Sequence, residues 1–564
     1  MSRFLNQNPA FTLWERGSFG TQNAWNKTWN DYALKDPWFK EVIMCIELVF
    51  GGDRKINVAC RPHKSISGST DTMVSYLALL QEEPSISTEY NMGSGTASQR
   101  SFSMTLDSRL VDPASILKAG RMLAGWGEVS LQFPGIDYDH RFVIMRGDMS
   151  GGVRFASDRE LLDFELVDPV NTQEYYIPTH AVTADSFSAA PDESIGFKYP
   201  FVLNTHPYVP AVCTYAGLTV RYYMATGGSR NTVLGSSVYV NGSAYGSGSA
   251  IFPWSSSIEN DDQGATYLKI TFGSGTGSWD DGDTVYVPVA HRGNKTHNII
   301  EAIQYLIENH TLMGADGLNY ALFGVSSSRI ATCNPKLLIN GGGSGDSATA
   351  FSYVESTLCG EYPMISMAWA NGGYGPVVTD RRSGLHVDEW TANRYPLAGR
   401  ATSVEETPKT EVLNVFSMKY GYNPMDDTYA GYVYRDASNS VLCLLSQENV
   451  GRREADVIEA VTVFDDGDAT YIIDWLVAHN ALPSYYVEYD ASAMCSLKYQ
   501  LGDNIKLTDK ELGWDGVTAT ITKLEYDRAR CTVGLRVWAL YPDLPAGGES
   551  GAVYSTVASG GDSG

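Results

Sequence analysis

One segment, residues 468–538, constrains the fold more than any other because a helical pattern is followed directly by alternating strands. Residues 468–481 have the apolar spacing of an amphipathic helix. Three alternating runs follow, at residues 504–508, 517–526 and 532–538. Gly513 and Gly516 supply a turn between the first two runs. The segment therefore predicts a helix packed on a small barrel of antiparallel strands, and it contains no nucleophile motif, metal cluster or phosphate loop.

Length and composition predict a folded, modular protein. A chain of 564 residues exceeds what one hydrophobic core usually serves, so we expect three or four domains. With 43% hydrophobic and 12% aromatic residues, 55 Gly and 34 Tyr, the chain is typical of turn-rich β proteins and not of disordered ones. We predict a mainly β fold with a few helices (α+β), containing two tube-like antiparallel β-barrels, a β lobe and a mixed α/β lobe.

The charge balance disfavours a protein that reads nucleic-acid sequence. The chain has 65 acidic and 41 basic residues, a formal net charge of −24, and no run of Lys or Arg. A negative wall is nevertheless suited to a channel through which DNA slides without sticking, because it offers few attractive contacts to phosphate. If the chain lines such a channel, we expect DNA to pass without sequence-specific binding.

Neither a membrane segment nor a secretion signal is expected. No run of about eighteen apolar residues occurs, and residues 1–20 contain no apolar core of signal-peptide length. We expect synthesis in a cytoplasm, which would be that of the host if the chain is viral.

The cysteine pattern indicates no metal site. The eight cysteines are scattered and form no CxxC pair or zinc-ligand spacing, at positions 45, 60, 213, 333, 359, 443, 495 and 531. We expect buried free thiols. A disulfide between Cys45 and Cys60, which flank a predicted hairpin, is the minority alternative in a reducing compartment.

Changes in amino-acid composition and the positions of turn residues divide the chain into six segments. We expect an N-terminal arm at 1–35, a first β-barrel domain at 36–205, a Gly/Ser/Tyr-rich β lobe at 206–292, a mixed α/β lobe at 293–400, a second β-barrel domain at 401–544 and a flexible C-terminal tail at 545–564.

Two strand pairs are predicted in the first barrel domain. Residues 41–50 alternate cleanly and turn at Gly51 and Gly52 into residues 55–60, which indicates a hairpin. Residues 85–90 and 100–106 form a second alternating pair around the glycines of the 93–95 loop.

Further elements are predicted in the middle of the chain. In the β lobe, Asn241-Gly242 indicates a type I′ hairpin turn. A helix begins after Asn298, and a second helix at about 346–358 has Asp346 as its expected N-cap. A hairpin turning at residues 371–373 follows the second helix.

Two groups of acidic and histidine residues could in principle bind a metal ion or act as acid and base, but structural roles explain both groups better. The segments WDDGD at 279–283 and FDDGD at 464–468 lack the ligand spacing of a calcium loop, so we expect a hairpin turn in the first and an N-cap at Asp468 in the second. His386, Asp388 and Glu389 have no second histidine nearby and are expected in a surface loop.

No serine elbow is present, because the Gly-rich segment 341–346 has the wrong spacing. A chain with 65 acids always contains carboxylate pairs, so glycoside hydrolysis gains no specific support. We predict no catalytic, cofactor-binding or metal-binding residues and no cofactor, and expect that the chain is not an enzyme.

Three blocks resemble the baseplate hub, or central tail hub, proteins of tailed bacteriophages. In 125–169 the resemblance lies in a Gly-x-x-Glu strand, a Pro-Gly-Ile turn and an Arg-Gly-Asp turn. In 298–381 it lies in a helix followed by a hairpin, and in 468–538 in a helix, a Leu-Gly-Asp entry into a strand and a closing Leu-Glu-Tyr-Asp strand. The lobe at 212–290 has no counterpart in this pattern.

The resemblance implies a structural virion protein of the tail or baseplate. Such a hub is a homotrimer that closes the distal end of the tail tube, with two β-barrels per subunit adapting sixfold to threefold symmetry. It forms the channel for genome ejection. The implied partners are a tail tube or distal tail protein, the tape-measure protein, and tail tip or fibre proteins.

A competing hypothesis is a β protein that binds or degrades polysaccharide, either on a virion or secreted. The missing signal segment makes secretion the weaker version.

Overall fold

A computed structural model describes residues 43–50, 54–67, 70–81, 85–90, 100–107, 125–132, 138–149, 153–155, 161–168, 176–217, 219–227, 231–280, 282–291, 296–311, 317–340, 348–370, 372–380, 388–392, 400–492, 499–527 and 532–540. The arm predicted at 1–35 and the tail predicted at 545–564 lie outside these residues.

The first part of the chain forms a large, mostly antiparallel sheet. Its strands, with one that belongs elsewhere (β5), are β1 (Ile43–Phe50), β2 (Arg54–Ala59), β3 (His63–Ser67), β4 (Thr72–Ala78), β5 (Ile86–Glu89), β6 (Ser101–Asp107), β7 (Trp126–Gln132), β8 (Phe142–Asp148), β9 (Val153–Phe155) and β10 (Leu161–Val167). The strand order is β3-β4-β2-β1-β7-β8-β10-β6, with β9 beside β10. We call this the first sheet.

The predicted β1–β2 hairpin is confirmed. Leu48 pairs with Ile56 in antiparallel register. Met44, Ile46 and Leu48 face one core, as the alternation predicts.

The Gly/Ser/Tyr-rich region folds as two facing sheets. Its strands and those leading into it are β11 (Tyr176–Ile177), β12 (Phe201–Leu203), β13 (Thr205–Pro210), β14 (Val212–Ala216), β15 (Arg221–Gly227), β16 (Asn231–Val233), β17 (Ser237–Val240), β18 (Ser243–Gly246), β19 (Trp254–Asn260), β20 (Thr266–Phe272) and β21 (Val285–His291). One sheet has the order β13-β21-β17-β18 with β16 beside β21, and the other β14-β15-β20-β19.

The two sheets enclose their own core, to which β20 contributes Leu268, Ile270 and Phe272. Asn241 and Gly242 both have positive φ in the β17–β18 turn, as the sequence predicts.

A helical layer follows. It contains α1 (Ile299–His310), α2 (Tyr320–Arg329), β22 (Leu337–Ile339), β23 (Ala348–Thr349), α3 (Ala350–Ser352), a π-helix (Tyr353–Leu358), α4 (Cys359–Glu361), β24 (Ile365–Ala370) and β25 (Gly373–Val378). α1 has a full capping box between Asn298 and Glu301, and β24 and β25 form the predicted hairpin. The second helical segment begins at Ala350, where Thr349 Oγ1 accepts from the Ser352 amide at 3.2 Å. Thr349 is therefore the cap, and the prediction of Asp346 was wrong.

The last part of the chain contains a second large sheet and two helices. Its elements are β26 (Asp388–Thr391), β27 (Ala401–Glu406), β28 (Phe416–Asn423), β29 (Thr428–Arg435), α5 (Val441–Val450), β30 (Ile458–Glu459), α6 (Asp466–Asn480), β31 (Ser484–Ser492), β32 (Asn504–Asp509), β33 (Trp514–Asp527) and β34 (Thr532–Leu540). The strand order is β26-β32-β33-β34-β31-β27, and β28, β29 and β30 form a separate small sheet. We call the larger one the second sheet.

The mainly β fold with a few helices is confirmed. Among the described strands no sheet closes on itself, so the two tube-like barrels stay a prediction. The predicted helix at 468–481 is present as α6, but its cap is Asp465, which accepts from the amides of Gly467 and Asp468. Asp468 lies inside the helix, so its prediction as the cap was wrong.

The predicted pairing of residues 85–90 with residues 100–106 was also wrong. β6 pairs with β10, whereas β5 leaves the first sheet and pairs with β33 of the second. Both strands alternate as predicted, but alternation identifies the buried face of a strand and not its partner.

The cysteines are mostly inside. Cys45, Cys333, Cys359 and Cys443 are buried, and Cys60 and Cys213 are half-buried. The residue opposite Cys45 across the hairpin is Ala59, one position before Cys60. Positions 495 and 531 lie outside the described residues.

Candidate functional site

The first and second sheets are joined by β5. Thr88 Oγ1 donates to the Leu524 carbonyl at 3.3 Å, and the Tyr90 amide donates to the Thr522 carbonyl at 3.2 Å. A single hydrophobic core contains buried side chains of both sheets. This strand therefore couples elements from the two ends of the described chain into one packed unit, which we call the joint.

The helical layer meets the joint at Thr379. Tyr90 Oη and Thr379 Oγ1 are hydrogen-bonded at 2.9 Å, and Trp475 Nε1 of α6 donates to the Thr379 carbonyl at 2.6 Å. His479 stacks between Trp475 and Trp538 of β34, with centroid distances of 4.1 and 5.4 Å. α6 thus touches the second sheet through Trp538, but its buried Ile472 and Ile473 lie in the core that contains Phe416 of the small sheet. The helix packs mainly on β28 and β29, so its predicted packing on the strands that follow it was wrong.

A buried ion pair adds a second tie between the helical layer and the second sheet. Arg329 at the end of α2 lies 3.5 Å from the Asp503 carboxylate and donates from Nη1 to the carbonyls of Val378 and Gly502, at 2.9 and 2.7 Å. Burial raises the pKa of Asp503 to about 6, although Arg329 and the Gln500 amide both act to lower it. The charge pair is thus held inside the molecule with specific geometry.

Two glutamates lie side by side on the other face of the first sheet. Glu47 of β1 and Glu128 of β7 are cross-strand partners, and both are buried. Adjacent carboxylates are the arrangement that glycoside hydrolysis uses. Here, however, Glu128 accepts from Arg141 and Arg146 at 2.6 and 2.7 Å, and Glu47 accepts from Tyr76 Oη at 2.7 Å. With these partners the pair forms a charge-compensated structural network.

Sequence analysis missed this pair because the alternation of β1 assigns Glu47 to the face opposite the main core. β3, β4 and a short 3-10 helix (Tyr138–His140) cover that face, and Tyr76 and Tyr138 pack there. Nothing in the local pattern of β1 indicates this cover.

A cleft of about 470 Å³ lies between the two-sheet lobe and the helical layer. It is bordered by β12, the C-terminal turn of α1, the ends of β16 and β21, and the loop before β12. Its polar and aromatic lining includes Tyr199, Phe201, Asn231, Tyr305, Asn309 and His310. Sequence analysis did not identify this cleft, because its residues come from separate segments between 177 and 310.

The aspartate-rich turns have structural roles. Asp283 accepts from Asn241 Nδ2 at 2.7 Å and from the Asp280 amide at 2.7 Å, so it ties two turns of the lobe together. The segment makes a turn, but β20 and β21 on either side of it belong to different sheets, so the predicted hairpin was wrong. Asp465, as described above, caps α6.

The group formed by His386, Asp388 and Glu389 in the sequence lies only partly within the described residues. Asp388 and Glu389 lie in β26, which pairs in parallel with β32, so the prediction of a loop was wrong for both residues, although Glu389 is exposed as predicted. His386 lies outside the described residues. Within the part of the chain that the structure describes, no group of three or more His, Cys, Asp or Glu side chains is placed to hold a metal ion.

The described helices include none that is long and apolar enough to span a membrane.

No protein-family model matches the chain, and no curated protein matches it. Among solved structures, a tail protein from Neisseria meningitidis MC58 is similar at 8% identity and a TM-score of 0.35, covering 88% of this chain and 96% of that one. A chain in the virion of a native gene transfer agent particle is similar at 12% identity and a TM-score of 0.40, covering 65% of this chain and 90% of that one. The 43 kDa tail protein of prophage MuSo2 from Shewanella oneidensis is similar at 9% identity and a TM-score of 0.35, covering 89% of this chain and 99% of that one.

These similar structures are tail and virion proteins. Their identities and TM-scores are too low for the likeness to carry an argument about the activity of this chain.

Proposed function

We propose that this chain is a structural protein of a phage tail, a trimeric hub that closes the distal end of the tail tube. The observation that carries the proposal is the joint, because it unites the first and second sheets in one core. A subunit that closes a tube under load must transmit force between its modules without separating them.

The sequence blocks that resemble tail hubs support the same reading. Block 125–169 includes β7 to β10, block 298–381 includes α1 to β25, and most of block 468–538 forms α6 and β31 to β34. Buried side chains of all three blocks, among them Ile144, Val377 and Ile521, share one core, and the second and third blocks also meet at the Arg329–Asp503 pair. The blocks are therefore parts of one packed body.

In the proposed trimer, each subunit contributes two large sheets, so three subunits present six modules to a sixfold tube and a threefold face to the tip. The net charge of −24 suits the wall of a channel for genome ejection, since it offers little attraction to DNA. The partners would be the tail tube or distal tail protein, the tape-measure protein, and tail tip or fibre proteins. The protein would reside in the virion and act without catalysis.

The native mass of the purified chain tests the assembly. Sedimentation analysis should give three times the chain mass of 61.6 kDa, and averaged electron micrographs should show a threefold ring with a central opening. A species that stays monomeric alone and when mixed with its tail tube protein would contradict the trimeric hub. Release of sugar from host envelope polysaccharide by the pure chain would favour the enzymatic alternative instead.

A further inference from the structure

The cleft between the two-sheet lobe and the helical layer is lined by aromatic and polar side chains but by no Asp, Glu, Lys or Arg, and this composition favours some classes of ligand over others. Its volume of about 470 Å³ lies in the range of small-molecule sites. The proposed hub function assigns no role to this cleft, and the joint lies elsewhere in the molecule.

Aromatic rings form a large part of the lining. Phe201 lies 6.4 Å from Tyr305 with nearly parallel rings, and 5.1 Å from His310 in an edge-to-face contact. His180 and Tyr199, 5.8 Å apart, line the cleft as a second pair. These rings present apolar faces to a ligand at low conformational cost.

Amide side chains at the cleft are oriented by the protein itself. The buried Asn231 is held by three partners, since Nδ2 donates to the Gly227 carbonyl at 2.7 Å and to Thr226 Oγ1 at 3.3 Å, and Oδ1 lies 3.0 Å from His291 Nδ1. Asn309 Nδ2 donates to the Tyr305 carbonyl at 2.9 Å. Asn309 is therefore the amide that a ligand can reach, and its second N–H and its Oδ1 point in a fixed direction, which lowers the entropic cost of binding.

The lining of the cleft disfavours anions such as phosphate, and it disfavours metal ions. No Asp, Glu, Lys or Arg is among its lining residues. α1 brings its C-terminal end to the cleft at Asn309 and His310, and this end of a helix carries partial negative charge that disfavours anions. Burial lowers the pKa of His310, so this imidazole is neutral at pH 7. Phosphate lacks a cationic partner here, and the described histidines of the cleft, His180, His291 and His310, are not placed together as a metal-binding group.

We propose that this cleft binds a neutral carbohydrate, with the sugar ring packed on Phe201 and Tyr305 and its hydroxyls bonded by the side-chain amide of Asn309. Sugars combine apolar ring faces with many hydroxyls, which matches a lining that is both aromatic and polar but uncharged. The site binds without hydrolysis, because its lining holds no carboxylate pair.

Saturation-transfer NMR on the full chain tests the proposal, with lactose, maltose, cellobiose and N,N′-diacetylchitobiose as probes and with choline and inorganic phosphate as competing classes. We expect transfer to the ring protons of at least one disaccharide and none to choline. Tyr305→Ala should weaken binding about tenfold, by loss of a stacking contact. Tyr432→Ala, at an exposed tyrosine outside the cleft lining, should leave it unchanged.

Asn309→Ala provides a second variant at an exposed position where folding is not at risk. It should also weaken binding of the same disaccharide. The proposal is overturned if no disaccharide receives transfer, if choline or phosphate binds in its place, or if both cleft variants bind as the unaltered chain does. A chain that binds sugar but stays monomeric, alone and when mixed with its tail tube protein, would refute the hub and leave this site standing.

Discussion

Thr88 and Leu524 are hydrogen-bonded neighbours although 436 positions separate them in the chain. Thr88 lies in β5 and Leu524 in β33, and both are buried in the joint between the first and second sheets. The closure of so long a loop is entropically costly, so the contact persists because the surrounding core stabilises it.

Truncation of Leu524 tests the joint. Leu524 is only 2% exposed, so Leu524→Ala should lower the free energy of unfolding by about 2 to 5 kcal/mol, measured by guanidinium denaturation. The matched control is Val404→Ala in the edge strand β27, where Val404 is 47% exposed, and we expect a change within about 0.5 kcal/mol. Equal effects of the two variants would contradict a core shared at this position.

The buried ion pair should depend on both partners. Arg329→Met leaves the Asp503 carboxylate buried without its cation, and we expect a loss of about 3 to 5 kcal/mol near neutral pH. Arg400→Met removes a surface pair with Glu511 and should cost about 0 to 1 kcal/mol. Denaturant titration of both variants and of the unaltered chain measures the two losses in the free energy of unfolding.

The effect of Arg329→Met should also depend on pH. Asp503 has a folded pKa raised to about 6, so its contribution is fully present below its ordinary pKa and is lost as pH rises through 6. Removal of Arg329 raises this pKa further, so the destabilisation should be larger at pH 8 than at pH 4. A destabilisation that is constant over this interval would show that the two charges do not interact.

His206 should make the lobe sensitive to acid. Burial, with Lys336 nearby, lowers the pKa of His206 to about 3, and its Nδ1 accepts from the Tyr208 amide at 3.2 Å. Because the unfolded chain takes up the proton first, the stability that neutral His206 provides is present above pH 6.5 and is lost as pH falls towards 3.

Between pH 7 and pH 5 the unaltered chain should lose about 2 kcal/mol more than His206→Asn, in which an amide oxygen can replace Nδ1 as the acceptor. Urea denaturation at the two pH values gives this difference. Parallel pH profiles would mean that His206 is not held neutral by its surroundings.

Gly373 permits a close approach between the β24–β25 hairpin and α2. A Cβ added there would lie 2.7 Å from the Asn319 amide nitrogen, which is backbone and cannot move aside easily. Gly373→Ala should therefore destabilise the chain by about 1 to 3 kcal/mol. Gly360→Ala, in open space within α4, should be neutral or stabilise by up to about 1 kcal/mol, and thermal unfolding compares the two.

Local patterns predicted the elements in which packing and sequence agree. The alternation of β1 and the apolar stripe of α1, from Ile299 to Ile307, identified their buried faces. α2 was missed because its segment, with Gly324 and three consecutive serines, has weak helix propensity, and tertiary burial of Leu322 and Phe323 stabilises it.

The joint and the cleft could not be predicted from local pattern. The alternation of β5 shows that one face is buried, but the partner in β33 is set by the whole fold. The cleft likewise combines Phe201, Asn231 and Tyr305, whose proximity results from the packing of the two-sheet lobe on α1. No spacing within the sequence carries that information.

The proposed function predicts a tailed virion that carries this chain, and electron microscopy of such virions tests the central claim most directly. Gold-labelled antibodies raised against the purified chain should label the distal end of the tail, and disruption of the tail should increase that labelling. Label on the capsid alone, or virions that lack the chain altogether, would contradict its assignment as a structural protein of the tail hub.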